Sequence, residues 1–501
     1  MSPTLRLLSA LLLPCSVHLA RAATADGFVP PSRSPLVQTS NYTSFSNNTL
    51  NDKRVVKGKV FNRIIQVWLE NTDFETATST PTFESLMEQG ILFTNYNSVT
   101  HPSEPNCQFF PPPDLSPVED NIWSDVAAIG GDFFGMADDN MYHIPSNIST
   151  VVDLLEDKDV SWATYQENMA TDGSYAFFFA APNYASPESP PYPYYMRKHN
   201  GLVVFDAISQ DSSRAKRIRT FNDFANDVVN GTLPQWIFVT PNMVNDAHDT
   251  TIDFAASFLE YWLLPLLTDP RVNGEDTLIL LTFDENHTST EQNRIFALAL
   301  GTAVPLNLRG TTDDTLYTHY SSISTVEANW NLKSLGRQDT NPIVSNVFSF
   351  VAEKTGYKNV HVPASQVPQF NLTAVTPGAL TSALFVPFAA PNLKARGAGS
   401  GGVLTRPGLD EKLTPEKLPP AGEHDRAEQD HAVADEPRDD EREEYHPLCG
   451  CAVCVSKRVR ICSRAVLHAQ HSKSDKMLSF LTELYRKNCI IRVSPEIYIF
   501  G

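Results

Sequence analysis

Apolar runs of strand length recur between residue 58 and about residue 358 and alternate with stretches of helical spacing. RIIQVWL (63–69), QWIFVT (235–240), TLILLTF (277–283) and RIFALAL (294–300) are rich in apolar residues at consecutive positions, the pattern of strands buried on both faces. ISTVVDLLEDK (148–158), DFAASFLEYWLLPLL (253–267) and SSISTVEANWNLKSL (321–335) predict helices. Such alternation predicts an α/β fold: a mostly parallel central sheet covered by helices on both faces, a three-layer α/β/α sandwich. No internal repeat is visible.

The flanks follow other patterns. Arg6, an apolar stretch from Leu7 to Leu19 and the Ala20-Arg21-Ala22 site predict a signal peptide over 1–22, too short to span a bilayer. Residues 23–57 form a polar, Ser/Thr/Asn-rich lead-in, and 58–396 a catalytic domain. GAGSGG at 397–402 opens an acidic, disordered linker that reaches residue 448. Residues 449–501 form a cysteine-containing tail whose CGCAVC has no standard zinc-finger spacing.

Composition narrows the function. With 42% hydrophobic and 19% charged residues the chain is globular, and its formal charge of −19 excludes nucleic-acid binding through a basic face. No basic amphipathic surface is evident, so integral or interfacial membrane association is not expected. Asn-x-Ser/Thr sequons at Asn41, Asn47, Asn147, Asn230, Asn286 and Asn371 agree with export to the cell exterior or wall. Between the cleavage site and residue 448 the one cysteine is Cys107, so the body rests on its core and not on disulfides.

Candidate chemistry lies where strands end, because catalytic groups of an open parallel sheet gather at its carboxyl edge. RIIQVWL runs into Glu70-Asn71, and TLILLTF into Asp284-Glu285-Asn286-His287. Oxygen donors from Glu70, Asn71, Asp284 and Glu285 suit a hard divalent cation, although helix caps or surface turns would also account for either end alone. His248-Asp249 follows QWIFVT, and His319 precedes a helix marked by Ser321 and Ser322. With His287 these are candidates for phosphate or leaving-group contacts.

VWLENTDFE, THPSEPN, AAIGGDFFGM, TPNMVNDAHDT, LLTFDENHT and YTHYSSISTVEANW, in this order, resemble the fungal secreted acid phosphatases of the phosphoesterase family, which also includes phospholipases C and belongs to the alkaline-phosphatase-like superfamily. The resemblance implies hydrolysis of small phosphate esters through a covalent phosphoenzyme on an alkaline-phosphatase-like fold. It maps the nucleophile to Ser103 and phosphate-binding amides to Asn71 and Asn106. It maps the metal ligands to Glu70, Asn71, Asp284 and Glu285, for one or more divalent ions. The histidines of the mechanism become His248, paired with Asp249, and His319. Asn286 beside the metal ligands is expected to carry no glycan.

One stretch departs from the family. CQFFPPPDLSPVEDNIWSD (107–125) stands where relatives carry a single aromatic residue before V-A-A-I-G-G-D. Pro111, Pro112, Pro113 and Pro117 exclude a helix there, although the nucleophile of this superfamily sits at a helix N-terminus. The abrupt join favours a retained intron over a surface loop with the helix restarting near Val126. The expected function is a secreted, metal-dependent acid phosphatase acting on monoesters. The alternatives are a phospholipase C-type phosphodiesterase, or a non-catalytic binding protein if the segment disrupts the site.

Overall fold

The computed structural model describes residues 50–405 apart from 53, 101–122, 137–141, 182–190, 289, 369–376, 382–383 and 400. Ser103, Asn106, the signal peptide, nearly all of the lead-in and 107–125 segments and the tail from 406 lie outside the described residues.

Eight strands form the central sheet: β1 (Arg63–Leu69), β2 (Ile91–Phe93), β3 (Trp162–Gln166), β6 (Ile218–Thr220), β7 (Trp236–Thr240), β8 (Thr277–Phe283), β9 (Ala297–Leu300) and β10 (Thr311–Asp313). Between β3 and β6 in the chain, β4 (Phe178–Ala181) and β5 (Tyr192–Met196) form a separate antiparallel pair. The sheet order is β10-β2-β9-β8-β1-β7-β3-β6, and β9 alone runs against the other seven. Every residue of β7 and β8 is buried, so both faces are covered and the continuous apolar runs are accounted for. This is the mostly parallel α/β sheet that the alternation of patterns predicts.

The helices that bear on the site are α1 (Trp123–Gly130), α2 (Val151–Glu156), α3 (Phe221–Asn230), α4 (Ile252–Phe258), α5 (His319–Trp330) and α6 (Ser349–Thr355). α5 starts at a capping box, with the Thr318 hydroxyl and Ser321 exchanging bonds, and stops where Asn331 turns left-handed at φ 56°. The predicted 321–335 helix is therefore shifted towards its cap. The predicted 253–267 helix is interrupted: a π turn spans Leu259–Leu263 before the chain resumes α geometry at Leu264–Thr268. Pro265 has no N–H to donate to the preceding turn, which explains the local rewinding.

The short strands β2, β3, β6 and β10 carry too few residues for periodicity to betray them. Gly397 onwards, read as the opening of a linker, packs on the body as far as Leu404. Ala398 N–H donates to Glu327 Oε2 at 2.9 Å, Leu404 N–H to the Ser334 carbonyl at 2.8 Å, and Leu404 is buried.

Candidate active site

Register sets the site. Leu69 of β1 pairs with Phe283 of β8, so the next residues, Glu70 and Asp284, emerge side by side at the carboxyl edge. Asp284 N–H donates to the Leu69 carbonyl at 2.9 Å, and Asn71 N–H donates to Asp284 Oδ1 at 3.0 Å. Asn71 makes this turn with φ 31°, a backbone that asparagine tolerates better than most residues. Glu70, Asp284 and Glu285 are all buried.

The third wall is the loop after β7. Glu70 N–H donates to the Asp246 carbonyl at 2.9 Å, which ties this loop to the end of β1. Asn242 folds it locally by accepting from the Val244 and Asn245 amides at 3.0 and 2.9 Å. Glu167, just past β3, accepts from Asn242 N–H and from Asn245 Nδ2, each at 2.9 Å. Ala247, held at φ 86° between Asp246 and His248, is a strained backbone position of the kind found where a loop must aim its side chains. His248 Nδ1 lies 2.8 Å from Asp249 Oδ1.

Three further elements complete the cluster. Asp125, in the first turn of α1, is buried, and its charge acts on Glu70. The 3-10 turn Arg197–His199 after β5 buries Lys198 and His199. His199 sits between two carboxylates, with Nδ1 3.1 Å from Asp246 Oδ2 and Nε2 3.5 Å from Glu70 Oε1. Lys198 Nζ is 3.4 Å from His248 Nε2, and the His199 and His248 rings are 5.4 Å apart.

Glu70, Asp125, Asp246 and Asp284 thus crowd one buried region. Burial, followed by mutual repulsion, pushes Glu70 well above the usual carboxylate range. Asp125 is raised by burial and then by Asp284. Burial likewise raises Asp246 and Asp284. Burial lowers Lys198 to about 8, and His199 falls well below its ordinary value through burial and the neighbouring Lys198 and His248.

This donor set fits a hard cation. Glu70 Oε2, Asp284 Oδ2 and both Asp125 oxygens are buried without a hydrogen-bond partner, a costly state that an ion relieves. Among the described residues no group of three His, Cys, Asp or Glu side chains is already gathered closely enough to hold one.

The structure brings Glu70, Asn71, Asp284, Glu285, His248 and Asp249 to one edge. His319, the first residue of α5, lies beneath them: its ring packs 4.7 Å from Trp68, and Nε2–H donates to the Asp284 carbonyl at 2.7 Å. Burial lowers it to about 3, against the bond to the Asp284 carbonyl, which raises it. His287 is exposed and stands apart from the buried groups. The Asn286 amide is buried and donates to the Thr288 carbonyl at 3.0 Å, an arrangement that gives a glycan no access.

Sequence reasoning missed Asp125, Glu167, Lys198, His199 and Asp246. Asp246, two residues before His248, and Asp125, the last residue of the 107–125 stretch, both lay within quoted segments. Glu167, Lys198 and His199 follow strands without a continuous apolar run.

The model of the phosphoesterase family matches residues 72–333. An acid phosphatase of Aspergillus fumigatus is 44% identical over 352 residues, 69% of this chain and 71% of its own. A phosphate-repressible acid phosphatase of Penicillium chrysogenum is 42% identical, over 62% of this chain and 68% of its own. A solved structure of a protein in the alkaline phosphatase superfamily from Vibrio parahaemolyticus is similar over 58% of this chain and 72% of that one, with 11% identity and a TM-score of 0.33. Half the chain under one family model, and relatives above 40% identity, agree with a carboxylate-rich strand edge: the chain belongs to the phosphoesterase family and is a hydrolase of phosphoric ester bonds.

Proposed function

We propose that this chain is a secreted, glycosylated acid phosphatase that hydrolyses phosphate monoesters, depends on one or more divalent cations and works through a phosphoserine on Ser103. The observation that carries the reading is the pair Glu70 and Asp284, set side by side by strand register with buried, unpartnered oxygens. The acid phosphatase names of the fungal relatives support the substrate class.

Glu70, Asn71, Asp284 and Glu285 are the residues that would hold the cation. When bound it supplies Lewis-acid stabilisation of phosphoryl charge and lowers the pKa of the serine hydroxyl. The chain's own groups do the rest. Ser103 Oγ forms the new bond to phosphorus as the ester P–O bond breaks, and Asn106 donates to a phosphoryl oxygen. Lys198, fixed beside His248, adds positive charge where the phosphoryl group is drawn in. His248 protonates the departing alkoxide. Water then cleaves phosphoserine to release phosphate.

The test is hydrolysis of 4-nitrophenyl phosphate at pH 5 by the purified secreted protein, with Ser103→Ala and a chelated sample beside it. Loss of turnover in both, with a phosphorylated serine trapped at Ser103 by acid quench, supports the reading. Full activity of Ser103→Ala overturns the nucleophile, and full activity after chelation overturns the metal. Absence of any turnover, with tight phosphate binding, favours a non-catalytic binding protein.

A further inference from the structure

Tyr192 is absent from every role described so far, yet it is buried and opens β5, outside the central sheet. Its hydroxyl donates to Asp249 Oδ2. The other oxygen of that carboxylate, Oδ1, lies 2.8 Å from His248 Nδ1. Asp249 therefore holds two donors at once, one phenol and one imidazole. Although burial opposes it, the bonds from His248 and Tyr192 keep this carboxyl below its usual range, so it stays an acceptor. A histidine whose Nδ1 faces a carboxylate carries its proton there and turns Nε2 to the other side.

That other side is the site. His248 Nε2 lies 3.4 Å from Lys198 Nζ, and the ring is 5.4 Å from His199, which reaches Glu70. Unlike His319 and His199, the His248 side chain keeps 7% of its surface open, enough for an incoming ester oxygen to meet it. The Asp249 side chain is 12% exposed, and its two oxygens are held from opposite partners, Oδ1 by His248 and Oδ2 by the phenol. The hairpin carrying Tyr192 is itself anchored to this loop, since Met243 N–H donates to the Tyr194 carbonyl at 3.0 Å.

We propose that Tyr192 is a positioning residue for leaving-group protonation: its phenol pins the Asp249 carboxylate, which fixes the His248 ring with Nε2 towards the departing oxygen. This rests on the phosphatase reading above. In the step, Ser103 reacts as the alkoxide, its proton having passed to solvent, so that the Oγ–P bond forms as the ester P–O bond breaks. The departing oxygen takes the electron pair of that bond and the proton on His248 Nε2, leaving a neutral imidazole protonated at Nδ1. When water attacks phosphoserine, one water proton returns to Nε2, the Oγ–P bond breaks with its electron pair left on Oγ, and phosphate leaves.

A group that acts only through proton delivery matters in proportion to how poor the leaving group is. The experiment compares Tyr192→Phe with the wild type on glycerol phosphate, which leaves as an alkoxide, and on 4-nitrophenyl phosphate, whose phenolate needs little protonation. The readout is kcat/KM, which covers the steps up to release of the alcohol. General acids contribute about 10²–10⁴-fold, and mispositioning one forfeits part of that, so the expected loss is about tenfold on glycerol phosphate. On the aryl ester it should stay under about twofold by the same reasoning.

His248→Gln should show the same bias, larger, and adding Tyr192→Phe to it should cost nothing more. An equal fall on both esters, no fall, or losses that add in the double variant would overturn the proposal. If Tyr192→Phe does not fold, Asp249→Asn carries the same comparison. A wild type that hydrolyses neither ester, or a Ser103→Ala variant that remains active, would instead sink the underlying phosphatase reading, while a leaving-group bias absent only in Tyr192→Phe sinks this one alone.

Discussion

Glu327 offers a test of how burial tunes this protein to acid, well away from the reaction. It lies on α5, fully buried, and hydrogen-bonds to Asp339. Its Oε2 accepts from Ala398 N–H at 2.9 Å, while Oε1 has no donor unless a proton sits between the two carboxyls. Burial, then Asp339, hold Glu327 well above the usual carboxylate range. Asp339 is raised by burial against the pull of Arg337 and of two backbone amides, from Leu335 at 2.8 Å and Arg337 at 2.7 Å. The other titratable groups facing the pair are Tyr320 and Tyr357, both neutral because their own values are raised.

A carboxyl raised in the fold favours the protonated state, so its contribution is complete below the unfolded value, about 4.3 for glutamate, and is lost as pH climbs through the folded value. As pH rises above the unfolded value the unfolded chain releases this proton while the raised carboxyl of the fold still holds it, so stability falls through that window. Glu327→Gln places an amide where the shared proton sat: its oxygen accepts from Ala398 and its nitrogen donates to Asp339.

Urea denaturation of wild type and variant at pH 5 and pH 7 should give similar midpoints at the lower pH. At pH 7 the variant should be the more stable of the two. Taking the difference between the two proteins removes the contribution of the active-site carboxyls, which titrate in both. Parallel curves for the two proteins would refute the shared proton, and a variant weakened equally at both pH values would show that the amide does not fit.

Three other perturbations follow from the same geometry. Asp284→Asn removes a carboxylate proposed to hold the cation while leaving an amide oxygen to accept from Asn71 N–H, and should cut turnover by at least about 10²-fold while lowering bound metal as measured by elemental analysis. Asp125→Asn takes one charge from the carboxylate cluster, so in chelator at pH 7 it should raise the thermal midpoint, by a free energy on the order of 1 kcal/mol; a lowered midpoint would mean that Asp125 is held by an unrecognised cationic partner. Glu167→Ala strands the Asn242 amide, worth about 1–3 kcal/mol when left buried and unpaired, and removes one acceptor of the Asn245 side chain, which keeps its bond to Tyr261, so it should destabilise the protein and blunt activity together, as read by melting and by kcat.

The central strands were legible because burial on both faces writes itself as continuous apolar sequence: β1, β7 and β8 all appear within a residue of where RIIQVWL, QWIFVT and TLILLTF place them. Glu70 and Asp284 were legible for the same reason, since a carboxylate directly after such a run can only sit at the strand's end. What the sequence could not convey is which ends are neighbours. β1 lies between β7 and β8, which are far from it along the chain, and it is this order that brings Asp246 and Asp284 to Glu70.

Lys198 and His199 show the limit from the other side. They follow a hairpin strand containing proline and three tyrosines, YPYYM, with no alternation to mark it, and a buried lysine reads like any surface lysine until its neighbours are known. His287, expected as a phosphate or leaving-group contact, is exposed, and it follows the buried Asn286, whose N–H donates to Asn293 Oδ1 at 3.0 Å.

Buried carboxylate in excess of its cationic partners occurs in two places in the fold. At the strand edge, Glu70, Asp125, Asp246 and Asp284 are buried beyond what Lys198 can neutralise. In the distant cluster around Arg219, three buried aspartates surround one guanidinium: Asp172 at 3.2 Å, Asp223 at 3.1 Å and Asp227 at 3.1 Å. One charge cannot balance three, and burial with a hydrogen bond to Asp223 pushes Asp172 up to about 9. Such a cluster is satisfied when one of its carboxyls carries a proton, as Asp172 does at any pH below its folded value. The distant cluster has no ligand to expect and keeps its proton as a fixed part of the core. The strand edge has buried oxygens left over, and there the proposed cation would take the place of the protons that the cluster around Arg219 retains. The same excess of buried carboxylate is therefore completed by an arginine and a proton in one place, and in the other leaves the oxygens that the proposed cation requires.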